Sequence, residues 1–264
     1  MLPLSARPAE SINAAQREVI HTAWFSSCER IFRRADIYLP AVYDTCSQPV
    51  PALFLIHGIN GYEGAWQDKG GAIDTLEKLI AEGRCRPMIL VMPDCNKWPF
   101  KERPVTHGNL WKCLFRYGKL SREHEIESAL SELIDMIDTT YCVSSYAIAG
   151  LSDGGRISAN VANRRPDKIT HVGLFSPVLH KDQLPKSRES QDQQSNDSLS
   201  LNPAQNYSIF VGRKDIFAPS GKRFHHRLTR AQYPHQYFVL NGSHNWVMWR
   251  QCLPLFMEQI SDIP

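Results

Sequence analysis

The residues with the clearest chemical meaning surround Ser152, in the stretch Gly150-Leu-Ser-Asp-Gly154. An apolar run that predicts a buried strand ends at Gly150, and a helix-like segment, residues 156–165, follows the last glycine. A serine at the apex of a sharp strand–turn–helix junction presents its hydroxyl as a nucleophile. Such a turn is strained and crowded, so glycines are needed on both sides because a Cβ there would clash. We therefore predict that Ser152 is a nucleophile.

A serine hydroxyl reacts well only when a base takes its proton, and His244 and Asp215 suit that task. Histidine acts as the base near neutral pH, while a carboxylate fixes its tautomer and stabilises the imidazolium. Asp215 directly follows a predicted strand, and His244 lies between the last predicted strand and the last predicted helix. Asp182, which follows an earlier predicted strand, is the main alternative for the acid.

Two backbone N–H groups are also needed, to hold the negative charge that develops on the substrate oxygen. We assign one to Asp153, the residue after the nucleophile. We assign the other to Ile59, in the glycine-rich loop 57–66 that follows the apolar strand 52–56. The glycines of this loop let the backbone approach a ligand closely, although a plain glycine-rich turn would have the same composition.

The elements that must position these residues follow from hydrophobic periodicity. Apolar runs alternate with helical patterns, which predicts βαβ units and a mostly parallel sheet. Residues 19–25 and 31–39 are predicted to form an antiparallel edge. Further strands are predicted at residues 52–56, 88–92, 145–149, 171–175, 207–211 and 236–240, and helices at 72–82, 123–138 and 156–165. A closing helix carries Trp246 and Trp249, which we assign to the core because their spacing continues its apolar stripe.

Two segments outside this pattern have distinctive compositions. Residues 96–120 are aromatic and basic, and we propose Trp98, Trp111 and Tyr117 as substrate-binding residues that stack on a phenolic acid or a sugar ring. Packing of a long loop on the core would explain the same aromatic residues. Residues 186–200 are rich in Ser, Gln, Asp and Asn, which predicts an exposed or disordered loop. We find no domain boundary and expect one domain over residues 1–264.

Bulk properties exclude several classes of protein. The 264 residues are 42% hydrophobic and 22% charged, which is typical of one globular α/β domain. A net charge of +3 is too mild to indicate a nucleic-acid or membrane-surface partner. No apolar run approaches the ~20 residues needed to span a bilayer. Residues 1–16 lack the apolar region of a signal peptide, which favours a cytoplasmic location, or export if a leader has been removed.

The seven cysteines are scattered along the chain without a C-x-x-C pair. This spacing argues against a metal site and against a disulfide framework. Free buried thiols are the expectation, with one disulfide left open. The sequence does not predict an oligomeric state.

Four sequence blocks carry a resemblance to a known family. They are Asp36-Ile-Tyr-Leu-Pro40; Leu53-Phe-Leu-Ile-His-Gly-Ile-Asn-Gly61 with Trp66; Gly150-Leu-Ser-Asp-Gly-Gly155 with Arg165-Pro-Asp-Lys-Ile169 and Phe175-Ser176; and Gly242-Ser-His-Asn-Trp-Val-Met-Trp249. Through these blocks the chain resembles the putative esterase (esterase D-like) group of α/β-hydrolases. That group includes feruloyl and other carbohydrate esterases, S-formylglutathione hydrolases, siderophore esterases and mycolyltransferases. The likeness is greatest to the feruloyl-esterase-like branch.

The resemblance implies an α/β-hydrolase fold, with a mostly parallel central sheet flanked by helices. It also implies a triad of Ser152, Asp215 and His244, an oxyanion hole from the amides of Ile59 and Asp153, and no metal or cofactor. The expected activity is hydrolysis of small-molecule or carbohydrate-linked carboxylic esters through an acyl-enzyme. A thioesterase of the S-formylglutathione hydrolase type and an acyltransferase are alternatives on the same site.

One residue departs from the family pattern. Asp153 stands where the family usually has Met, Phe or Gln. Its charge could oppose the oxyanion, in which case the protein would be a catalytically silent binding module. Alternatively its side chain could pair with Arg156 or a lysine and have little effect.

Overall fold

The computed structural model describes residues 19–45, 48–96, 123–179 and 205–261. The strands in chain order are β1 (Ile20–Ser26), β2 (Ile31–Tyr38), β3 (Val50–Ile56), β4 (Ile89–Pro93), β5 (Val143–Leu151), β6 (Ile169–Phe175), β7 (Asn206–Gly212) and β8 (His235–Leu240). The helices are α1 (Ala65–Asp68), α2 (Ala72–Ala81), α3 (Glu123–Thr140), α4 (Asp153–Arg164), α5 (Ala218–Arg230) and α6 (Trp246–Ser261). A short 3-10 helix spans Tyr43–Thr45.

The strands form one eight-stranded sheet in the order β1-β2-β4-β3-β5-β6-β7-β8. β2 is antiparallel to both of its neighbours, and every other neighbouring pair is parallel. The strands β3 to β8 therefore end at one edge of the sheet, and the loops that follow them meet there. Ser152, Asp215 and His244 lie at this edge, directly after or shortly after β5, β7 and β8.

The sheet is buried because helices cover both of its faces. β3 is a nearly continuous apolar run, which is typical of a strand with no solvent-exposed face. Its alternate residues contribute to two separate apolar clusters, Phe54 to one and Leu53 to the other. Residues of α3, α4 and α5 complete the first cluster, and residues of α2 and α6 complete the second. The result is a three-layer α/β/α arrangement.

Most predicted elements are confirmed, with strand bounds that differ by one or two residues. The antiparallel edge formed by β1 and β2 is confirmed as well. The helix predicted at residues 156–165 begins earlier, at Asp153, directly after the serine. Helix α5 was not predicted, because its apolar stripe consists of little more than Phe224 and Leu228 and a glycine, Gly221, interrupts it.

Several sequence predictions lie outside the described residues. These are the three aromatic residues Trp98, Trp111 and Tyr117, the alternative acid Asp182, the loop 186–200 and two cysteines, Cys46 and Cys113. Of the described cysteines, all with free thiols, Cys85, Cys95 and Cys252 are buried, whereas Cys28 and Cys142 are exposed, so the expectation of buried thiols is wrong for those two. No helix in the described ranges combines the length and the apolar character required to cross a bilayer.

Candidate active site

Ser152 lies at the junction between β5 and α4, at the edge where the parallel strands end. Its backbone has φ 55° and ψ −117°, a conformation that residues with a side chain rarely adopt. Hydrogen bonds hold this strained turn in place. The Ser152 N–H donates to the Phe175 carbonyl at 2.9 Å, and the Val178 N–H donates to the Ser152 carbonyl at 3.1 Å. The turn is thus anchored to the end of β6 and the residues after it.

The glycines that flank Ser152 allow close contact between backbone segments. A Cβ on Gly150 would lie 2.2 Å from the carbonyl oxygen of Gly154. A Cβ on Gly154 would lie 2.3 Å from the carbonyl oxygen of His57, at the end of β3. Both obstacles are backbone atoms, so no side chain could move aside. The predicted steric need for these glycines is confirmed.

Ser152, His244 and Asp215 form a continuous series of polar contacts. His244 Nε2 is 2.9 Å from Ser152 Oγ, and His244 Nδ1 is 3.1 Å from each oxygen of the Asp215 carboxylate. The ionised carboxylate can only accept hydrogen bonds, so we assign the ring hydrogen to Nδ1. Nε2 is then an acceptor that faces the serine hydroxyl. The three residues meet because Asp215 follows β7 and His244 follows β8.

The Asp215 carboxylate is buried and well supplied with hydrogen-bond donors. Its side chain is 0% exposed, and Oδ1 accepts the N–H of Phe217 at 2.7 Å. Burial alone raises the pKa of a carboxylic acid. Hydrogen bonds from His244 and the Phe217 N–H outweigh burial, and the pKa of Asp215 lies below its ordinary value. Asp215 is therefore ionised at neutral pH.

Two aromatic side chains enclose the His244 ring. Phe217 lies 4.7 Å away and Trp249 5.0 Å away between ring centroids, each with an edge-on geometry. The assignment of tryptophans to the core is confirmed for Trp249, which is 6% exposed, while Trp246 is partly buried against it. Trp249 therefore belongs both to the core and to the border of the site. This packing leaves the imidazole little room to rotate.

The loop after β3 runs beside the serine turn, and the buried His57 fixes its shape. His57 Nε2 accepts the Cys95 N–H at 2.9 Å, so Nδ1 carries the ring hydrogen and donates it to the Gly58 carbonyl at 2.7 Å. In a trans peptide the carbonyl and the following N–H point in opposite directions. The Ile59 N–H therefore points away from the His57 ring. A Cβ on Gly58 would lie 3.5 Å from Ser152 Cβ, which shows how closely the loop approaches the turn.

The segment after β4 forms a hydrogen bond to this loop. The Asn96 side chain donates to the Gly61 carbonyl at 2.6 Å. The guanidinium of Arg33 donates to the carbonyls of Asp94, at 3.1 Å, and of Asn96, at 2.9 Å. Arg33 is itself buried and paired with Glu29. A connected set of buried polar groups thus ties the loop after β3 to β2 and β4.

Asp153 begins helix α4, where the first N–H groups have no acceptor within the helix. Its carboxylate Oδ1 is 2.8 Å from Nε of Arg156, one turn further along the helix, and that arginine is 1% exposed. Of the two outcomes expected for this carboxylate, pairing with Arg156 is the one observed. The charge of Asp153 is therefore compensated locally, and its backbone N–H is unaffected by the unusual side chain.

Two residues that sequence reasoning left without a role, His57 and Ser176, lie at this site. His57 orients the loop that contains Ile59, and Ser176 accepts the indole N–H of Trp249, whose ring packs against His244. Both directly follow strands that flank β5 in the sheet. Their position in the sequence, as polar residues directly after central parallel strands, was the signal that could have indicated their place at the site.

The chain matches a known protein family along most of its length. The family model described as "Putative esterase" matches residues 32–257. A protein of Xylanibacter ruminicola named "Endo-1,4-beta-xylanase/feruloyl esterase" is 28% identical over 249 residues, which cover 90% of this chain. The same match covers 30% of that relative, so this chain spans about a third of its length.

Solved structures show the same fold. A ferulic acid esterase from Anaeromyces mucronatus is similar with a TM-score of 0.68 and 20% identity, over 95% of each chain. An S-formylglutathione hydrolase from Staphylococcus aureus is similar with a TM-score of 0.64 and 15% identity, over 93% of this chain and 96% of that one. These likenesses identify the α/β-hydrolase fold. Because the family model matches most of the chain, the protein belongs to the esterase family, a family of carboxylic-ester hydrolases.

Proposed function

We propose that the protein hydrolyses carboxylic esters with Ser152 as nucleophile, His244 as general base and Asp215 as the residue that orients His244. The observation that carries this proposal is the series of contacts from Ser152 Oγ through both nitrogens of His244 to Asp215. The strained backbone of Ser152 supports it, because strain of this kind is retained where the surrounding structure enforces it, often at functional sites.

In the proposed mechanism, His244 Nε2 accepts the proton of the Ser152 hydroxyl while Oγ attacks the ester carbonyl carbon. The N–H groups of Ile59 and Asp153 stabilise the resulting oxyanion. His244 then gives its proton to the departing alcohol, which leaves an acyl-enzyme on Ser152. Water attacks the acyl group by the same steps in reverse, and Asp215 stays ionised and stabilises the imidazolium throughout.

The proposed substrates are aryl-acyl esters such as feruloyl esters, either small molecules or esters linked to carbohydrate. The names of the relatives support this class, since several are ferulic acid or feruloyl esterases. A thioester is the second candidate, favoured by the structural likeness to an S-formylglutathione hydrolase. We further propose that residues 1–264 act as one esterase domain.

The test is a screen of acetyl, butyryl and feruloyl aryl esters and a matching thioester, with wild type and Ser152→Ala. We expect wild type to hydrolyse at least one ester and to be labelled by a fluorophosphonate. Ser152→Ala should lose labelling and about 10⁶ in turnover, because the serine acts as a unit with its base. The matched control is Ser208→Ala, which removes a buried hydroxyl bonded to Gln259 and should keep full activity. Equal turnover in Ser152→Ala would refute the assignment, and a wild type that is neither labelled nor active would indicate a binding module.

A further inference from the structure

Positive charge is concentrated in the last part of the chain. Residues 205–261 contain seven lysine or arginine residues and two acidic residues, Asp215 and Glu258. This segment therefore has a net charge of +5, whereas the whole chain has a net charge of +3. The small overall charge conceals a local excess, because the rest of the chain is slightly acidic. A local excess of this kind attracts anions to the surface that carries it.

Helix α5 presents part of this charge on one side. Lys222, Arg223 and Arg230 are exposed, and their spacing places them on the same side of the helix. They extend over about 12 Å of its axis. The opposite side is buried and contains Phe224 and Leu228. The helix itself contains no acidic residue, so its solvent-exposed side is purely basic.

Two further cations connect this helix with the candidate active site. Arg213 and Lys214 are exposed and lie in the turn between β7 and Asp215. The Lys214 N–H donates to the carbonyl of Gly242 at 2.9 Å, and Gly242 precedes His244 by two residues. The turn is therefore fixed beside the loop that carries the candidate base.

We refer to five exposed cations together as the basic face: Arg213, Lys214, Lys222, Arg223 and Arg230. Cations elsewhere in the structure, such as Lys78, Arg84 and Lys168, are paired with carboxylates. No residue of the basic face forms an ion pair with a carboxylate of the described ranges. The described residues therefore leave its charge accessible to an external anion.

We propose that the basic face binds carbohydrate chains that carry carboxylate groups. Carboxylates are suitable partners because guanidinium and ammonium groups form charge-assisted hydrogen bonds with them. Helix α5 begins three residues after Asp215, so the face extends from the edge of the sheet at which Ser152 and His244 lie. The choice of a carbohydrate rests on the proposed function, in which the substrates include carbohydrate-linked esters. The charge of the face does not depend on that function.

Other polyanions fit this face less well. Proteins that bind single-stranded nucleic acid stack its bases on aromatic side chains, and helices that bind anionic membranes insert apolar ones. The exposed positions of α5 include no Phe, Tyr or Trp, and its apolar residues Phe224 and Leu228 pack on the sheet. Duplex DNA requires only charge and shape, so it enters the test as the competing ligand.

The test is calorimetric titration of the protein with polygalacturonate, at about 50 and about 200 mM salt. We expect binding that weakens as salt screens the exposed charges, and no binding of neutral arabinoxylan. The triple variant Lys222→Gln/Arg223→Gln/Arg230→Gln should bind about tenfold more weakly at the lower salt concentration, because three exposed ion pairs are lost. Its kcat on a small neutral aryl ester should equal that of wild type, which verifies the fold.

The matched control is the triple variant Lys78→Gln/Arg84→Gln/Lys168→Gln, which removes the same charge from cations that are already paired. It should bind polygalacturonate with the affinity of wild type. Equal affinity of wild type and the α5 variant would overturn the inference, as would tighter binding of duplex DNA or of phosphatidylglycerol vesicles.

Binding and turnover are measured separately, so the two proposals can fail independently. A wild type that binds polygalacturonate but hydrolyses no ester would refute only the proposed function. An active wild type that does not bind polygalacturonate would refute only the role of the basic face. The Ser152→Ala variant should bind as wild type does, because the binding residues lie outside the proposed catalytic series.

Discussion

Replacement of Asp215 by asparagine tests the role of the carboxylate with almost no change in shape. Oδ1 accepts the Phe217 N–H at 2.7 Å, so the asparagine must place its carbonyl oxygen there to keep that bond. Its NH₂ group then replaces Oδ2, so a hydrogen on His244 Nδ1, which is 3.1 Å from both positions, would face an N–H as well as the carbonyl oxygen. An amide nitrogen only donates, so Nδ1 becomes an acceptor and the ring hydrogen moves to Nε2. Nε2 then presents a hydrogen to Ser152 Oγ and cannot take its proton.

The expected cost follows from this change of tautomer. A base held in the wrong tautomer loses about 10⁴ in kcat, or about 5 kcal/mol of transition-state stabilisation.

The stability of the folded protein should also depend on pH through Asp215. The pKa of Asp215 is lowered in the folded protein, so its ionised form contributes stability above about pH 3.9, and this contribution is lost as the pH falls through the folded pKa. Asp215→Asn lacks this contribution at every pH.

The assay is the initial rate of aryl-ester hydrolysis, with the rate of fluorophosphonate labelling as a second readout. Asp138→Asn is the control, because that carboxylate pairs with Lys168 and Tyr146, and kcat should remain unchanged. An Asp215→Asn variant that keeps more than about a tenth of wild-type kcat would refute the argument from the tautomer.

Three other substitutions test further features. Gly154→Ala would place a Cβ 2.3 Å from the His57 carbonyl oxygen, and we expect the free energy of unfolding in urea to fall by about 3 kcal/mol; an unchanged midpoint would contradict the steric argument. Asp153→Asn keeps the backbone N–H and weakens the pair with Arg156, so kcat should change less than about threefold, whereas a tenfold rise would mean that the carboxylate opposes the oxyanion. Burial lowers the pKa of His171, so the unfolded chain binds more protons and stability decreases as the pH falls below about 6.5. The urea midpoint of His171→Gln should therefore depend less on pH in this range than that of wild type, and an equal dependence would exclude His171 as its source.

The serine turn and its partners could be predicted from sequence because they obey simple rules. The flanking glycines Gly150 and Gly154 follow from a local steric requirement, which the packing of the turn confirms. Asp215 and His244 could be predicted because parallel strands end at a common edge, which brings distant loops together. These rules require only the order and type of the elements.

The supporting residues could not be predicted, because their roles depend on side-chain geometry. A serine after β6 has no distinctive composition, and the contact of Ser176 with the indole of Trp249 joins residues 73 positions apart. His57 is similar, since its influence on Ile59 depends on an N–H from Cys95. Helix α5 was missed for another reason: its basic residues outnumber its apolar ones, and packing on the sheet decides its structure.

The strand that leads to His244 lies at an open edge of the sheet. Among the described strands β8 pairs only with β7, and none of its six residues is fully buried. An edge strand with so little burial is a candidate for opening before the rest of the sheet. On the proposed mechanism, this local opening would separate the base from Ser152 while the inner strands remain paired. Turnover measured in mild denaturant would then report a partly opened population that circular dichroism of the whole molecule does not detect.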